Sequence, residues 1–155
     1  MMPSPVVEAP PLYRVILVPL DHSELDRHAL AHASALAAVH KAKLVLVHVE
    51  EGVTSRMYGP LSSTTEVEAG RTYFEKLQDS LRAKGLQADL KVLHGTSPST
   101  GIVQTAREEK ADLLVIGAHG HKVLKDIVFG ATINEVRHAL DVPILVVRAP
   151  GAPAG

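Results

Sequence analysis

"RVILVPLDHSELDRHALAHASALAAVHKAKLVLVHV", residues 14–49, decides the architecture. It opens and closes on short runs of Val, Leu and Ile, "RVILVPL" (14–20) and "KLVLVHV" (43–49), each too continuously apolar for a strand that shows one face to water. Between them Leu25, Ala29, Ala33, Leu36 and Ala37 recur on a single helical face. Strand, helix, strand with both strands buried is the unit of a parallel sheet, because parallel neighbours need a crossover and the crossover covers the sheet.

The same alternation continues downstream. "DLKVLH" (89–94), "DLLVIGA" (112–118) and "PILVVR" (143–148) are further short, β-branched, turn-bounded runs, which brings the strand count to five. Ahead of the third, Val67, Gly70, Phe74, Leu77 and Leu81 share a helical face. Helix starts are marked by Ser23 before Glu24 and Asp26, by Ser97 before Pro98, and by Thr132 with Glu135 as a capping box. The fold class is α/β, an open, doubly wound parallel sheet with helices on both faces. The segment "EEGVTSRMYGPLSS" (50–63) reads as the longest connection, a loop over the sheet end or a lid. "PSPVVEAPP" and "APGAPAG" at the two ends predict flexible tails at 1–11 and 149–155 around a single domain, 12–148.

Composition narrows the function. With 155 residues and a formal charge of −1, the chain lacks the basic footprint of a nucleic-acid binder. Without cysteine there is no disulfide, thiolate metal site or cysteine nucleophile. No stretch has the length of a membrane span and the N-terminus lacks a secretory pattern, so the expected setting is cytoplasmic, without membrane insertion. Nine histidines raise the question of metal, but "HGH" (119–121) supplies two imidazoles with no third ligand at local spacing, so no metal site is expected. Its spacing and its place after the fourth strand also fail the HxGH phosphate clamp of nucleotidylyltransferases. No GxSxG elbow, Walker lysine or acid–base carboxylate pair is present, so no catalytic residues are expected and the chain reads as a binder rather than a fast enzyme.

In an open sheet of this kind ligands sit at the carboxyl ends of the strands, where the strand order reverses. Gly117 and Gly120 follow the fourth strand, and Gly130 stands before a helix whose free amides favour an anion. The three can frame a phosphate chain, or they can simply end a strand and admit a helix. Asp21 ends the first strand in "VPLDHS", where a carboxylate can accept hydrogen bonds from an adenine amino group or a ribose hydroxyl; it can equally cap the following helix.

These residues resemble the universal stress proteins. "VILVPLDHSELDRHAL" is similar to that family's first strand and helix, "LVLVHV" to its second strand, and "ADLLVIGAHG" with "VPILVV" to its last two. Gly117, Gly120 and Gly130 hold the glycines of the G-x2-G-x9-G-[ST] pattern of its nucleotide-binding branch. The resemblance implies sheet order 3-2-1-4-5 and an adenine-nucleotide pocket. Pro19, Leu20 and Asp21 would line the adenosine site and Val49 would meet adenine through its backbone. Ile116, Gly117, His119 and Gly120 would follow the ribose and phosphates, and Gly130, Ala131, Thr132 and Ile133 would hold the terminal phosphates. It implies ATP, or AMP, ADP or cyclic AMP, with Mg as counter-ion, and a homodimer through the last strand that regulates unidentified protein partners in a stress response. The alternative is a dimeric interaction protein of the same fold that binds no nucleotide. Two positions depart from the pattern. Ala131 stands where the motif has Ser or Thr, and loss of one neutral hydrogen bond, about 0.5–1.5 kcal/mol, predicts ATP binding several-fold weaker. His22 replaces a frequent Gly and is expected to project to solvent.

Overall fold

The computed structural model describes residues 2–3, 5–9, 11–50, 59–118 and 131–149, with the backbone alone for 59–70. The strands are β1 Val15–Pro19, β2 Lys43–Glu50, β3 Ala88–His94, β4 Leu113–Gly117 and β5 Ile144–Val147. The helices among the described residues are α1 Leu25–His40, α2 Gly59–Ala83, α3 Pro98–Glu108 and α4 Ala131–Ala139. All strand pairs are parallel and the order is β3-β2-β1-β4-β5. The order reverses between β1 and β4, because β1 leads outward through β2 to one edge while β4 begins the other half.

The continuous apolar runs follow from burial on both sides of the sheet. Alternate residues of β1, Ile16 and Val18, join Leu44, Leu46, Val115, Ala29, Ala33 and Phe74 in a core under α1 and α2. Leu17, between them, points the other way and packs with Val45, Val47, Leu114, Ile102 and Val136 under α3 and α4. One glycine sets the depth at which α3 sits. A Cβ on Gly101 would lie 2.6 Å from Val49 Cγ2 and 3.1 Å from Leu93 Cδ1, so only glycine lets α3 close onto the end of β2.

Of the three helix-cap expectations one holds and two are revised. Ser97 does cap α3, its hydroxyl accepting the Thr100 N–H at 3.3 Å with Pro98 in the first turn. At α1, however, the cap position is Glu24, whose side chain makes no capping bond, and the Ser23 hydroxyl donates to Asp21 instead. At α4 the helix already includes Ala131, so Thr132 lies inside the first turn and the Glu135 carboxylate takes a hydrogen bond from Ser99 of α3 rather than closing a capping box. The connection after β2 is also shorter than the sequence suggests. Residues 59–63 belong to α2, where Pro60 sits in the first turn, a position at which proline does not interrupt a helix; residues 51–58 lie outside the described residues.

Candidate functional site

A cavity of about 300 Å³ opens at the carboxyl ends of β1, β2 and β4, at the point where the strand order reverses. Pro19, Leu20 and Asp21 reach it from β1, Val47, His48 and Val49 from β2, Ile116 and Gly117 from β4, and Thr132 and Ile133 from the start of α4. Eight of the twelve residues expected at the site therefore line one cavity. Ala131 is exposed and is not part of the lining, and His119, Gly120 and Gly130 lie outside the described residues. The wall is mainly apolar, with Asp21, Asp26, His48 and Thr132 as its side chains with polar atoms, a composition suited to a small organic ligand whose flat part is buried and whose polar groups are few and placed. A larger, open hollow of about 460 Å³ lies between α3 and α4, but it is lined by outward helix residues such as Thr100, Gln104 and Arg107 and touches no strand end.

The mouth of the cavity is held by carboxylates. Asp21, just beyond β1, is exposed, and its Oδ1 receives the Ser23 hydroxyl at 2.5 Å. Asp26, on the first turn of α1, is 3 % exposed and accepts the backbone N–H of Asp21 at 3.0 Å and that of His22 at 2.9 Å. The Tyr73 hydroxyl of α2 adds a third bond to Asp26 at 3.1 Å. Burial, helped by the nearby Asp21 charge, raises the Asp26 carboxyl from 3.8 to about 6, against the opposing pull of the backbone N–H. The same burial, with the Asp26 charge, pushes the Tyr73 phenol up to about 12, so the phenol stays a donor.

His22 explains why glycine is frequent at its position in the family pattern. Its φ is +63°, in the left-handed region that costs an L-residue about 1–2 kcal/mol. His22 is exposed, as expected, and its ring also stacks on Tyr73 with centroids 4.2 Å apart and meets the edge of Phe74 at 5.6 Å. His48 is half-buried, with Nδ1 2.8 Å from the Leu20 carbonyl and its ring 4.4 Å from Phe74, which fastens the ends of β1 and β2 together.

Gly117 also has a packing reason to be glycine. A Cβ there would stand 3.1 Å from Leu25 Cβ and 3.5 Å from the Leu25 carbonyl, so β4 ends as a glycine partly because α1 begins against it. Leu25, Asp26, Val47, His48, Pro98 and Ile102 are lining residues that sequence reasoning did not place at the site. For Asp26 a signal existed: Ser23 and Asp26 have the S-x-x-D spacing of a capping box, in which the acid reaches back to preceding backbone amides. Among the described residues no group of three or more His, Asp or Glu is placed to hold a metal ion, and no helix is long and apolar enough to cross a membrane.

Comparison with known proteins agrees with this fold. Residues 12–148 match the model of the universal stress protein family. The universal stress protein MJ0531 of Methanocaldococcus jannaschii is 28% identical over 144 residues, covering 90% of this chain and 84% of that one. The solved structure of MJ0577, from the same archaeon, superposes with a TM-score of 0.78 at 26% identity over 90% of this chain and 99% of that one. A universal stress protein from Archaeoglobus fulgidus, solved in complex with dAMP, shares the fold with a TM-score of 0.64 at 22% identity over 88% of this chain and 98% of its own.

Proposed function

The chain belongs to the universal stress protein family, and we propose that it is a nucleotide-binding member, taking ATP or a related adenine nucleotide such as AMP, ADP or cyclic AMP. The observation that carries this reading is the convergence of Asp21, Val49, Ile116, Gly117 and Thr132 on one cavity at the reversal of strand order. Its volume lies at the lower end of the range for small-molecule pockets, and its apolar walls between β2 and α3 suit a nucleobase. A carboxylate at the mouth suits a ribose hydroxyl or an amino group. The G-x2-G-x9-G spacing supports phosphates along Gly117, Gly120 and Gly130, and the dAMP-bound relative supports the ligand class.

Ala131 removes the motif hydroxyl, yet Thr132, the next residue, lines the cavity and offers one. Pro19 and Leu20 would flank the adenosine and Ile133 the phosphate end, with Mg as the nucleotide's counter-ion. His119 and Gly120 would follow the ribose and phosphates as the family pattern implies. Among the described residues no side chain is arranged for fast hydrolysis, and in this reading occupancy, not turnover, would be the signal. The partner-facing assembly would be a homodimer through β5, an edge strand on which Leu145 is exposed. The setting would be cytoplasmic.

Calorimetric titration with ATP, AMP and cyclic AMP tests the reading. Binding that disappears in Asp21→Ala with thermal stability retained is the expected result. No binding at millimolar nucleotide, with none restored by Ala131→Ser, would leave the alternative, a dimeric interaction protein with an empty crevice.

A further inference from the structure

We propose that Asp26 is the positioning residue of this pocket: its buried carboxylate fixes the turn that presents Asp21 to the adenosine, and protonating it frees the turn and weakens nucleotide binding. The inference rests on the nucleotide-binding reading above, and it begins from a closed ring of contacts. The Asp26 carboxylate holds the N–H groups of Asp21 and His22. The His22 ring stacks on Tyr73, and the Tyr73 hydroxyl returns to Asp26 Oδ2. The backbone of His22 is left-handed, a conformation that needs outside support in a residue with a side chain. Two of the three bonds to Asp26 supply that support, and they act on the residue that carries the proposed adenosine contact and on the one after it.

Ionisation controls how many of these bonds survive. A carboxylate accepts at both oxygens, so Oδ1 serves Asp21 and Oδ2 serves His22 and Tyr73. Once protonated, one oxygen becomes a donor and a poor acceptor, and the nearest acidic group is the Asp21 carboxyl itself. A proton shared between Asp26 and Asp21 occupies the oxygen that a ribose hydroxyl would need. Among the described residues, the titratable or charged groups around Asp26 are Asp21 and His22 from the turn, Tyr73 from α2, and Arg27, which acts on Tyr73 from α1. His48 of β2 stands behind them on Phe74. With the Asp26 carboxyl raised to about 6, the change falls within a mildly acidic interval.

The test measures cyclic AMP affinity by calorimetry between pH 5 and pH 7.5, since its phosphodiester has no second proton to lose there, and follows the backbone amide NMR signals of Asp21 and His22 in nucleotide-free protein. In the wild-type chain, affinity should fall by about tenfold on acidification, the worth of one charge-assisted hydrogen bond, and both amide signals should move together with a midpoint near that of Asp26. Asp26→Asn should bind weakly at every pH and show no such midpoint. It keeps His22 and His48, so any response of the imidazoles remains in it. Tyr73→Phe, which keeps the stacked ring but removes one donor to the carboxylate, should move the midpoint upward. Wild-type affinity in Asp26→Asn at pH 7.5, or an unchanged fall in its affinity on acidification, would overturn the proposal. If the wild-type chain binds no nucleotide while its amides titrate and those of Asp26→Asn do not, the nucleotide reading fails and the positioning of the turn stands; amides that do not titrate in either protein overturn the positioning too.

Discussion

β1 is tied at both ends by an aspartate that accepts two successive backbone N–H groups, and the two ends put the same device to different use. At the amino end, Asp112 takes Arg14 N–H at 2.9 and 3.1 Å and Val15 N–H at 3.1 Å. At the carboxyl end, Asp26 takes Asp21 N–H and His22 N–H. Asp112 is partly open to water, and the charges at that end of the sheet are paired, Glu109 meeting Lys91 at 2.5 Å and Lys43 at 3.1 Å. Asp26 is enclosed, beside a second carboxylate and a cavity. A solvated carboxylate keeps its charge at little cost, so the amino-end clamp serves the fold alone. A buried one opposes folding through desolvation, and such a cost concentrates where a site needs it.

Removing the amino-end clamp gives the largest effect. Asp112→Ala strips three charge-assisted bonds from the start of β1 and should lower the unfolding free energy by about 2–3 kcal/mol in urea melts, with nucleotide affinity unchanged. A loss below about 0.5 kcal/mol would mean that water replaces the carboxylate, and the likeness between the two ends would then be geometric only.

Neutralising the other clamp should act with the opposite sign. An unfolded chain releases the Asp26 proton near pH 3.8, whereas the folded chain keeps it to about 6. Between those values the folded state binds more protons, so the group's contribution to stability falls as pH rises and is fully lost above about pH 6. Asp26→Asn lacks that fall. Its stability relative to the wild-type chain should therefore improve by on the order of 2 kcal/mol between pH 4 and pH 7, even as its affinity drops. Parallel urea melts at the two pH values measure the difference. A stability difference independent of pH would remove the contrast between the two carboxylates.

What could be read from the sequence divides along the same line. The five strands were legible because burial on both faces writes itself as an unbroken Val, Leu and Ile run; "RVILVPL" contains β1 and "DLLVIGA" contains β4. The place of Asp21 at a strand end was legible because a strand end is a local fact, whereas the strand order that puts it at the switch point came only with the family resemblance. The two backbone bonds of Asp26 had a local signal in the S-x-x-D spacing, but its closure by Tyr73 did not, since α2 carries that residue across to α1, a contact 47 residues apart in sequence. Ser23 and Thr132 misled for a related reason: each has the local grammar of a cap, while the structure gives the Ser23 hydroxyl to Asp21 and lets Ser99 take the Glu135 carboxylate. The start of α2 was hidden by composition, because Gly59 and Pro60 read as loop residues although a first turn tolerates them.

Gly117 gives a smaller effect that sharpens the contrast at the carboxyl end. Its Cβ would press on Leu25, one residue before Asp26, at a distance at which the neighbour must yield by a few tenths of an ångström. Gly117→Ala should cost about 1 kcal/mol of stability through that contact. Because Leu25 and Asp26 share the first turn of α1, it should also disturb the amide signals of Asp21 and His22. An alanine that leaves those amides in place would separate the glycine's packing from the turn that Asp26 holds.

The smallest effect belongs to the ion pairs at the amino end, and its value is in its sign. Lys91, then Lys43, hold the Glu109 carboxyl below its ordinary 4.5, and Glu109 in turn raises Lys43. A depressed carboxyl contributes stability above its unfolded value and loses it as pH falls through the folded one, the reverse of Asp26. Because water and salt screen these partly exposed pairs, Glu109→Gln should cost less than about 1 kcal/mol at pH 7. The cost should fade in high salt, and fade again once acid has protonated Glu109 in the wild-type chain. Melts of Glu109→Gln and Asp26→Asn over one pH series should therefore diverge from the wild-type curve in opposite directions as pH rises, one losing ground and the other gaining it. Parallel curves would mean that the two ends of β1 do not differ in how they hold charge.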